Sequence, residues 1–304
     1  MNHIIVLMST YNGERYLEAQ IDSILAQKCV DVILLVRDDG SKDNTLKILD
    51  KYQDKHENII VFKEQNLGCT RSFYKLVEYA LQYKDVDFFA FSDQDDVWLP
   101  EKLINGLNHL HSFDNSIPAL YFCMPKIVDA DLKPMKQKWP SHHKLTYGEA
   151  CIIQPIPGCT MIFNKVAASL FLKATPGFMR LHDSWMYKCV VFCGGKIVED
   201  TNELMLYRQH SNNVVGANET FLHSLQRRYL SYTKRKNERL RTIRNFVKLY
   251  SREMSPEILQ ELENLIDYKK SIMNKLRVIF SQRYLSNNRI SNILFKISVL
   301  TNRY

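Results

Sequence analysis

Short apolar runs alternate with longer amphipathic patterns through the first third of the chain. The short runs are rich in β-branched and aromatic residues and lie between polar turn residues, which predicts β-strands at residues 4–9, 32–37, 59–62 and 88–91. The segments between them carry apolar residues at helical spacing. This alternation is typical of an α/β fold in which helices cover a mostly parallel sheet.

The rest of the chain changes character near residue 216. The preceding segment has a mixed pattern that predicts strands at residues 119–124, 159–163 and 204–207 and helices at 165–172 and 183–192. Beyond it, almost every segment has a helical pattern. We therefore expect an α/β domain over residues 1–216 and a helical C-terminal region over residues 217–304.

The distribution of charge separates the same two parts. Residues 217–304 contain 18 Lys and Arg against 7 Asp and Glu, whereas the preceding residues are slightly acidic and the whole chain of 304 residues has a net charge of +8. The composition, 45% hydrophobic and without repeats, is that of an ordinary globular protein. No stretch reaches about 18 uncharged apolar residues, and no signal peptide precedes the first strand, so we expect no membrane span. Seven scattered cysteines without a CxxC pair indicate reduced thiols and a cytoplasmic protein.

Three carboxylates, Asp93, Asp95 and Asp96, directly follow the fourth predicted strand. Carboxylates this close repel one another unless a cation or water screens them. Oxygen ligands with open positions suit Mg²⁺ or Mn²⁺, and such ions commonly bridge to substrate phosphates. The alternative is that Asp96 caps a helix, because Pro100 and the leucines after it predict a helix directly after the cluster.

Two earlier strand ends also carry polar groups. Tyr11 follows the first strand, and its ring offers a face on which a base can stack. Asp39 follows the second strand and can accept a hydrogen bond from a nucleobase imide. Both segments also read as ordinary turns, since Gly13 and Gly40 lie in them.

Taken in order, these segments resemble family 2 glycosyltransferases of the GT-A fold. The residues that carry the resemblance are 9–12 (Ser-Thr-Tyr-Asn), 38–41 (Asp-Asp-Gly-Ser), 66–68 (Asn-Leu-Gly) with Arg71, and 92–96 (Ser-Asp-Gln-Asp-Asp). The match extends to about residue 215. It is most similar to bacterial enzymes that build surface polysaccharides, and residues 91–103 resemble rhamnosyltransferases.

The resemblance implies an inverting transferase with a nucleotide-sugar donor, either dTDP-rhamnose, which is favoured, or a UDP-hexose used by a galactosyl- or glucosyltransferase. It also implies a saccharide acceptor that is lipid-linked, and Mg²⁺ or Mn²⁺ as cofactor. The nucleoside contacts that it implies are Thr10, Tyr11, Asp39 and Arg71. Asp93 would contact the ribose or the sugar, Asp95 would bind the metal, and Asp96 would add charge nearby.

Two later segments complete the expected site. Inverting transfer needs a base, and the resemblance gives that role to Asp183, next to His182; the alternative is that Asp183 caps the helix that follows. Trp185 offers an apolar platform for the acceptor sugar or else is a core residue. His210 matches a late histidine that completes the metal site in similar transferases.

The basic region over residues 221–250 interleaves apolar and cationic residues. One interpretation is an apolar stripe packed on the protein with a solvated basic face. The other is peripheral contact with anionic lipid at the inner face of the cell membrane, where a lipid-linked acceptor would be met. A non-enzymatic alternative is a nucleic-acid-binding or anionic-surface-binding protein. No recognised nucleic-acid module accompanies the charge, so nucleic acid is not an expected partner.

Overall fold

The computed structural model describes residues 3–210 and 237–304, which fall into two compact units. The first unit contains the described residues up to Ser141, Ile156–Val190 and the described residues from Gly195 to His210. The second contains His142–Pro155, Val191–Gly194 and the described residues from 237 onwards. The predicted boundary at residue 216 and the first part of the basic region lie outside the described residues.

The first unit is built on a mixed sheet with the order β3-β2-β1-β4-β7-β6-β8-β5. Its strands are β1 (His3–Thr10), β2 (Asp31–Asp38), β3 (Ile59–Lys63), β4 (Phe88–Ser92), β5 (Val97–Trp98), β6 (Ala119–Val128), β7 (Met161–Asn164) and β8 (Lys196–Arg208). The described α-helices of both units are α1 (Leu17–Leu25), α2 (Thr45–Lys55), α3 (Cys69–Ala80), α4 (Lys102–Leu110), α5 (Tyr147–Ile152), α6 (Lys165–Leu172), α7 (His182–Phe192), α8 (Glu238–Tyr250), α9 (Pro256–Ile266), α10 (Ile272–Phe280) and α11 (Arg289–Leu300).

Strands β3, β2, β1 and β4 are parallel, which places their carboxyl ends at one edge of the sheet. Thr10 is in register with Asp38, and Met8 with Ser92, so the loops that follow β1, β2 and β4 begin side by side. The apolar residues of β1 and β4 are buried between helices on both faces of the sheet. The four predicted strands and the α/β class are confirmed.

The region after β4 differs from the sequence prediction. No helix directly follows the acidic residues; a two-residue strand, β5, comes first and pairs antiparallel with β8, and α4 begins only at Lys102. Glu101 occupies the position before that helix, so the alternative that Asp96 caps it is wrong. Residues 97–98 form a strand paired with β8 rather than a helical turn, because this conformation buries Trp98 in the core.

Two further strand limits were wrong for a similar reason. Residues 158–160 form a 3₁₀ turn, and β7 starts only where Met161 pairs with Phe122. β8 begins at Lys196, eight residues before the predicted strand, because the polar stretch 199–203 pairs with β6 although it lacks apolar alternation. Pairing with a neighbour, which a strand's own pattern does not reveal, decides both limits.

The second unit has an aromatic core. The buried rings of Tyr284 and Tyr304 contact Phe295, and Tyr268 packs edge-on against Tyr304. The hydroxyl of Tyr304 donates to the carbonyl of Cys151 at 2.8 Å. In α8 the apolar stripe is buried as well, and Phe246 packs edge-on against Phe192. In its described part, therefore, the apolar stripe of the basic region packs on protein. Among the described helices of either unit, none has the length and apolar character that a membrane span requires.

Candidate active site

The loops after β1 and β4 are joined by the side chain of Gln94. Its Oε1 accepts from the backbone N–H of Tyr11 at 2.8 Å, and its Nε2 donates to the carbonyl of Tyr11 at 3.1 Å. The amide group thus makes the two hydrogen bonds that a neighbouring strand would make. The ring of Tyr11 is 46% exposed, so it presents a free face at the carboxyl edge of the sheet.

Asp38 and Asp39 hold the two neighbouring loops. Asp38 accepts hydrogen bonds from the hydroxyl of Thr10 at 3.0 Å and from the backbone N–H of Ser41 at 2.9 Å. Thr10 is fully buried, so its side chain joins β1 to β2 rather than facing the open edge. Asp39 is almost fully buried next to Arg37, and it accepts from the backbone N–H groups of Leu67 and Gly68 at 2.7 and 2.8 Å.

The contacts of Asp39 determine where α3 begins. Gly68 has a φ of +81°, which favours glycine, and it directly precedes the helix. Arg71 lies exposed on the first turn of α3. Of the four predicted nucleoside contacts, Tyr11 and Arg71 therefore present accessible side chains, while Thr10 and Asp39 organise the loops around them.

The acidic residues after β4 occupy three different environments. Asp93 is half-buried, and burial together with the charges of Asp95 and Asp183 raises the pKa of its carboxyl to about 7. Asp96 is fully buried; burial and the charges of Asp95 and Asp93 hold its pKa well above the usual range. We refer to residues 93–96 as the acidic loop. The backbone N–H of Arg208 donates to Asp96 at 3.1 Å, which ties the acidic loop to the end of β8.

His210 and Asp95, the predicted metal ligands, lie next to each other. Nε2 of His210 is 2.8 Å from Oδ2 of Asp95, and both side chains are mostly but not fully buried. Tyr16 holds the histidine in place, since its ring is 5.0 Å from that of His210 and 4.4 Å from the guanidinium of Arg208.

These two residues fit a hard divalent cation. Adjacent ligands of an octahedral ion with bonds of about 2.1 Å lie about 3 Å apart, close to the observed separation. A second group, Asp93, Asp96 and Cys159, has ligand atoms within 4.8 Å of one another. Burial raises the pKa of the Cys159 thiol well above its ordinary value, and a protonated thiol is a poor ligand for Mg²⁺ or Mn²⁺.

The sequence did not predict that the buried ammonium group of a lysine lies near the acidic loop. Nζ of Lys102 donates to the carbonyl of Cys159 at 3.0 Å and lies 3.2 Å from the centre of the Trp98 ring. Burial lowers its pKa to about 8, and the carboxylates of Asp96 and Asp93 oppose that change. The signal that could have revealed it is a lysine on the buried stripe of α4, next to Leu103 and Gly106.

Asp183 lies at the start of α7, separate from the acidic loop. Burial raises the pKa of its carboxyl to about 6, although the backbone N–H of Ser184, at 2.5 Å from Oδ1, and the charge of Lys188 oppose that effect. His182 stacks on Phe73 with ring centres 3.9 Å apart, and burial lowers its pKa to about 3, so it is neutral near pH 7. Gly158 permits this packing, because a Cβ there would lie 2.7 Å from Nε2 of His182.

Three of the carboxylates act electrostatically on the thiol of Cys69. The charges of Asp93, Asp183 and Asp39 all raise its pKa, although Cys69 itself is solvent-exposed. These residues come from the ends of three separate elements. Trp185, by contrast, is only 2% exposed, so its ring packs in the protein interior.

Comparison with known proteins gives consistent results. The family model named glycosyl transferase family 2 matches residues 5–170, more than half of the chain. The dTDP-rhamnosyl transferase RfbG of Shigella flexneri is 32% identical over 263 residues, which cover 82% of this chain and 82% of that protein.

Solved structures show the same fold. TarS 1–349 of S. aureus in complex with UDP is similar with a TM-score of 0.53 at 15% identity, over 100% of this chain and 89% of that one. A longer TarS chain is also similar, and the match covers 46% of that chain. The mannosyltransferase PcManGT from Pyrobaculum calidifontis, in complex with GDP-Man and Mn²⁺, has a TM-score of 0.53 at 12% identity, over 99% of this chain and 86% of that one. The predicted GT-A fold is confirmed.

The contact between Gln94 and Gly13 predicts a coupling that urea denaturation can measure. A Cβ at Gly13 would lie 2.6 Å from Cδ of Gln94, so Gly13→Ala should lower the free energy of unfolding by about 1–3 kcal/mol. In a Gln94→Ala background the collision is absent, and the same change should be neutral or stabilising by about 0.4–1 kcal/mol, because φ of Gly13 is not positive. Equal effects in both backgrounds would contradict the contact.

Proposed function

The chain belongs to glycosyl transferase family 2, and we propose that it is an inverting, metal-dependent enzyme that transfers rhamnose from dTDP-rhamnose to a growing surface polysaccharide. Its similarity to a dTDP-rhamnosyl transferase over most of both chains supports this donor. A second candidate is transfer of a hexose from a UDP-sugar, which the likeness to TarS bound to UDP-GlcNAc supports.

The observation that carries the proposal is the separation of Asp183 from the acidic loop. The two sites influence each other electrostatically, since the charge of Asp183 raises the pKa of Asp93. They nevertheless belong to different parts of the fold, since the acidic loop follows β4 and Asp183 lies in α7. A donor held at the acidic loop and an acceptor hydroxyl held at Asp183 would therefore approach each other from different elements.

In this mechanism, the carboxylate of Asp183 takes the proton of the acceptor hydroxyl. The acceptor oxygen forms a bond to the anomeric carbon while the bond from that carbon to the diphosphate oxygen breaks. The nucleoside diphosphate leaves with the electron pair, and attack opposite to the leaving group inverts the configuration. Neutral His182 packs beside the base without competing for the proton near pH 7.

We assign the cation to Asp95 and His210, whose atoms have a suitable separation. A bound Mg²⁺ or Mn²⁺ would stabilise the negative charge on the leaving diphosphate. Asp93 would contact the ribose or the sugar, Tyr11 would stack on the base, and Arg71 would approach the nucleotide from α3. The acceptor is proposed to be a lipid-linked saccharide, and the location to be the cytoplasm, at the inner face of the cell membrane.

We expect Asp95 and His210 to bind the metal directly. Asp95→Asn should abolish Mn²⁺ binding measured by titration calorimetry and nearly abolish donor turnover, because it removes a charged ligand. Asp54→Asn is the matched control, since Asp54 is an exposed carboxylate on α2. Full activity in the presence of a chelator would overturn the metal assignment but would not change the assignment of the chain to its family.

Asp183→Asn should retain donor binding but slow transfer by about a hundred- to ten-thousand-fold, since it removes the base. A base acts only when ionised, and the pKa of Asp183 is raised to about 6. In the wild-type enzyme, kcat/KM should therefore be constant above about pH 6 and fall about tenfold per pH unit below it. If the rate at saturating metal concentration does not depend on pH between about 4.5 and 7, a residue other than Asp183 is the base.

The donor is tested by thermal shift in the presence of Mn²⁺. We expect dTDP-rhamnose to raise the unfolding temperature more than UDP-galactose, UDP-glucose or UDP-N-acetylglucosamine at equal concentration, because stabilisation grows with saturation of the site. The Asp95→Asn variant should lose this shift. A larger shift with a UDP-hexose would replace rhamnose by that hexose and leave the transferase assignment in place.

A further inference from the structure

The last two helices of the second unit expose an unusual number of large apolar side chains. On α10, Ile272, Met273 and Phe280 are 61%, 69% and 72% exposed; on α11, Ile293, Ile297 and Leu300 are 58%, 50% and 56% exposed. We refer to these six residues as the apolar face. Side chains of this size are rarely exposed in groups unless they mark an interaction site.

The apolar face is confined to one side of each helix. With about 100° between successive residues, Ile272, Met273 and Phe280 span an arc of about 100° on α10. Ile293, Ile297 and Leu300 span about 60° on α11 by the same measure. The two helices pack against each other within one unit, and each also contributes buried residues to its core. Both helices are therefore amphipathic and leave one apolar side outside the core.

The charge around the apolar face has a single sign. Residues 268–304 contain eight Lys and Arg and no Asp or Glu. On α10, Lys275 and Arg277 border the apolar arc on either side, and on α11 Lys296 is adjacent to Ile297. Among the described residues, these three cations form no ion pair. Lys270 and Arg283, farther from the apolar face, pair with Asp267, Glu257 and Glu261. The three cations that border the face keep a local excess of positive charge.

We propose that the apolar face and its bordering cations dock the protein on the surface of an anionic lipid bilayer. An apolar helical side bordered by Lys and Arg is the arrangement that lies in a membrane interface. Anionic headgroups would satisfy the cations while the apolar side chains enter the acyl boundary. The site lies on α10 and α11, apart from residues 221–250, and the apolar stripe of α8 is already buried.

Charge favours a bilayer over a second copy of the chain. In a symmetric dimer the same surface would face itself, bringing two exclusively basic segments together. Like charges across an interface oppose association. An anionic surface instead complements the cations and accepts the apolar residues at once.

Sedimentation with vesicles tests the proposal on the full-length protein. We expect binding to vesicles of phosphatidylcholine mixed with phosphatidylglycerol, weaker binding at high salt, and little binding to phosphatidylcholine alone. Lys275→Gln with Arg277→Gln should weaken partitioning by about fivefold for each charge removed. Met273→Ser with Phe280→Ser should weaken it by about tenfold or more for each side chain.

Matched controls lie in the first unit. Lys47→Gln with Lys55→Gln removes two exposed cations from α2, and Phe178→Ser removes an apolar side chain that is 42% exposed. These variants should bind vesicles like the wild type. The serine substitutions replace exposed residues, so thermal unfolding should stay close to that of the wild type and confirm that the variants fold.

Three results would overturn the proposal. One is binding that does not depend on the phosphatidylglycerol content; another is wild-type binding by both the charge and the apolar variants. The third is a dimer, seen by sedimentation velocity without lipid, that Met273→Ser with Phe280→Ser dissociates while vesicle binding is absent. None of these outcomes depends on sugar transfer, so the proposed function is tested separately.

Discussion

Repulsion among three carboxylates at the end of β4 is the constraint around which the first unit is organised. Burial and mutual charge raise the pKa of Asp93 and of Asp96, which means that the fold disfavours the charged form of both carboxyl groups. Two features reduce the cost: the N–H of Arg208 donates to Asp96, and the ammonium of Lys102 lies beneath the loop. A cation at Asp95 and His210 would reduce it further, so the repulsion among the carboxylates would favour metal binding.

The constraint also explains why the site is assembled from distant segments. Arg208 and His210 arrive from the end of β8, which pairs with β5 and β6, and Gln94 reaches across to the backbone of Tyr11. Each contact joins the acidic loop to a different element of the sheet. Movement of that loop would break several hydrogen bonds at once, so the carboxylates stay close despite their repulsion.

The base is kept chemically distinct from the acidic loop by its surroundings. Asp183 has a pKa raised to about 6 mainly by burial, whereas His182 beside it is held neutral by the same cause. Burial disfavours the charged form of both groups, which raises the pKa of an acid and lowers that of a base. A carboxylate that is ionised near pH 7 and still basic is therefore obtained from ordinary side chains, with Gly158 packed beside both residues and Phe73 stacked on His182.

The sequence by itself determined the α/β class, the four parallel strands, and the carboxyl edge at which polar residues gather, because those features depend on local alternation and strand ends. Its motifs also indicated Asp95 and His210, which the fold brings to within 2.8 Å of each other. The tertiary structure decided what local pattern does not encode: the start of β8, the insertion of β5, the burial of Thr10 and Trp185, and Lys102 beneath the acids. Those features depend on which residues distant in sequence meet in the fold, and only pairing and packing determine that.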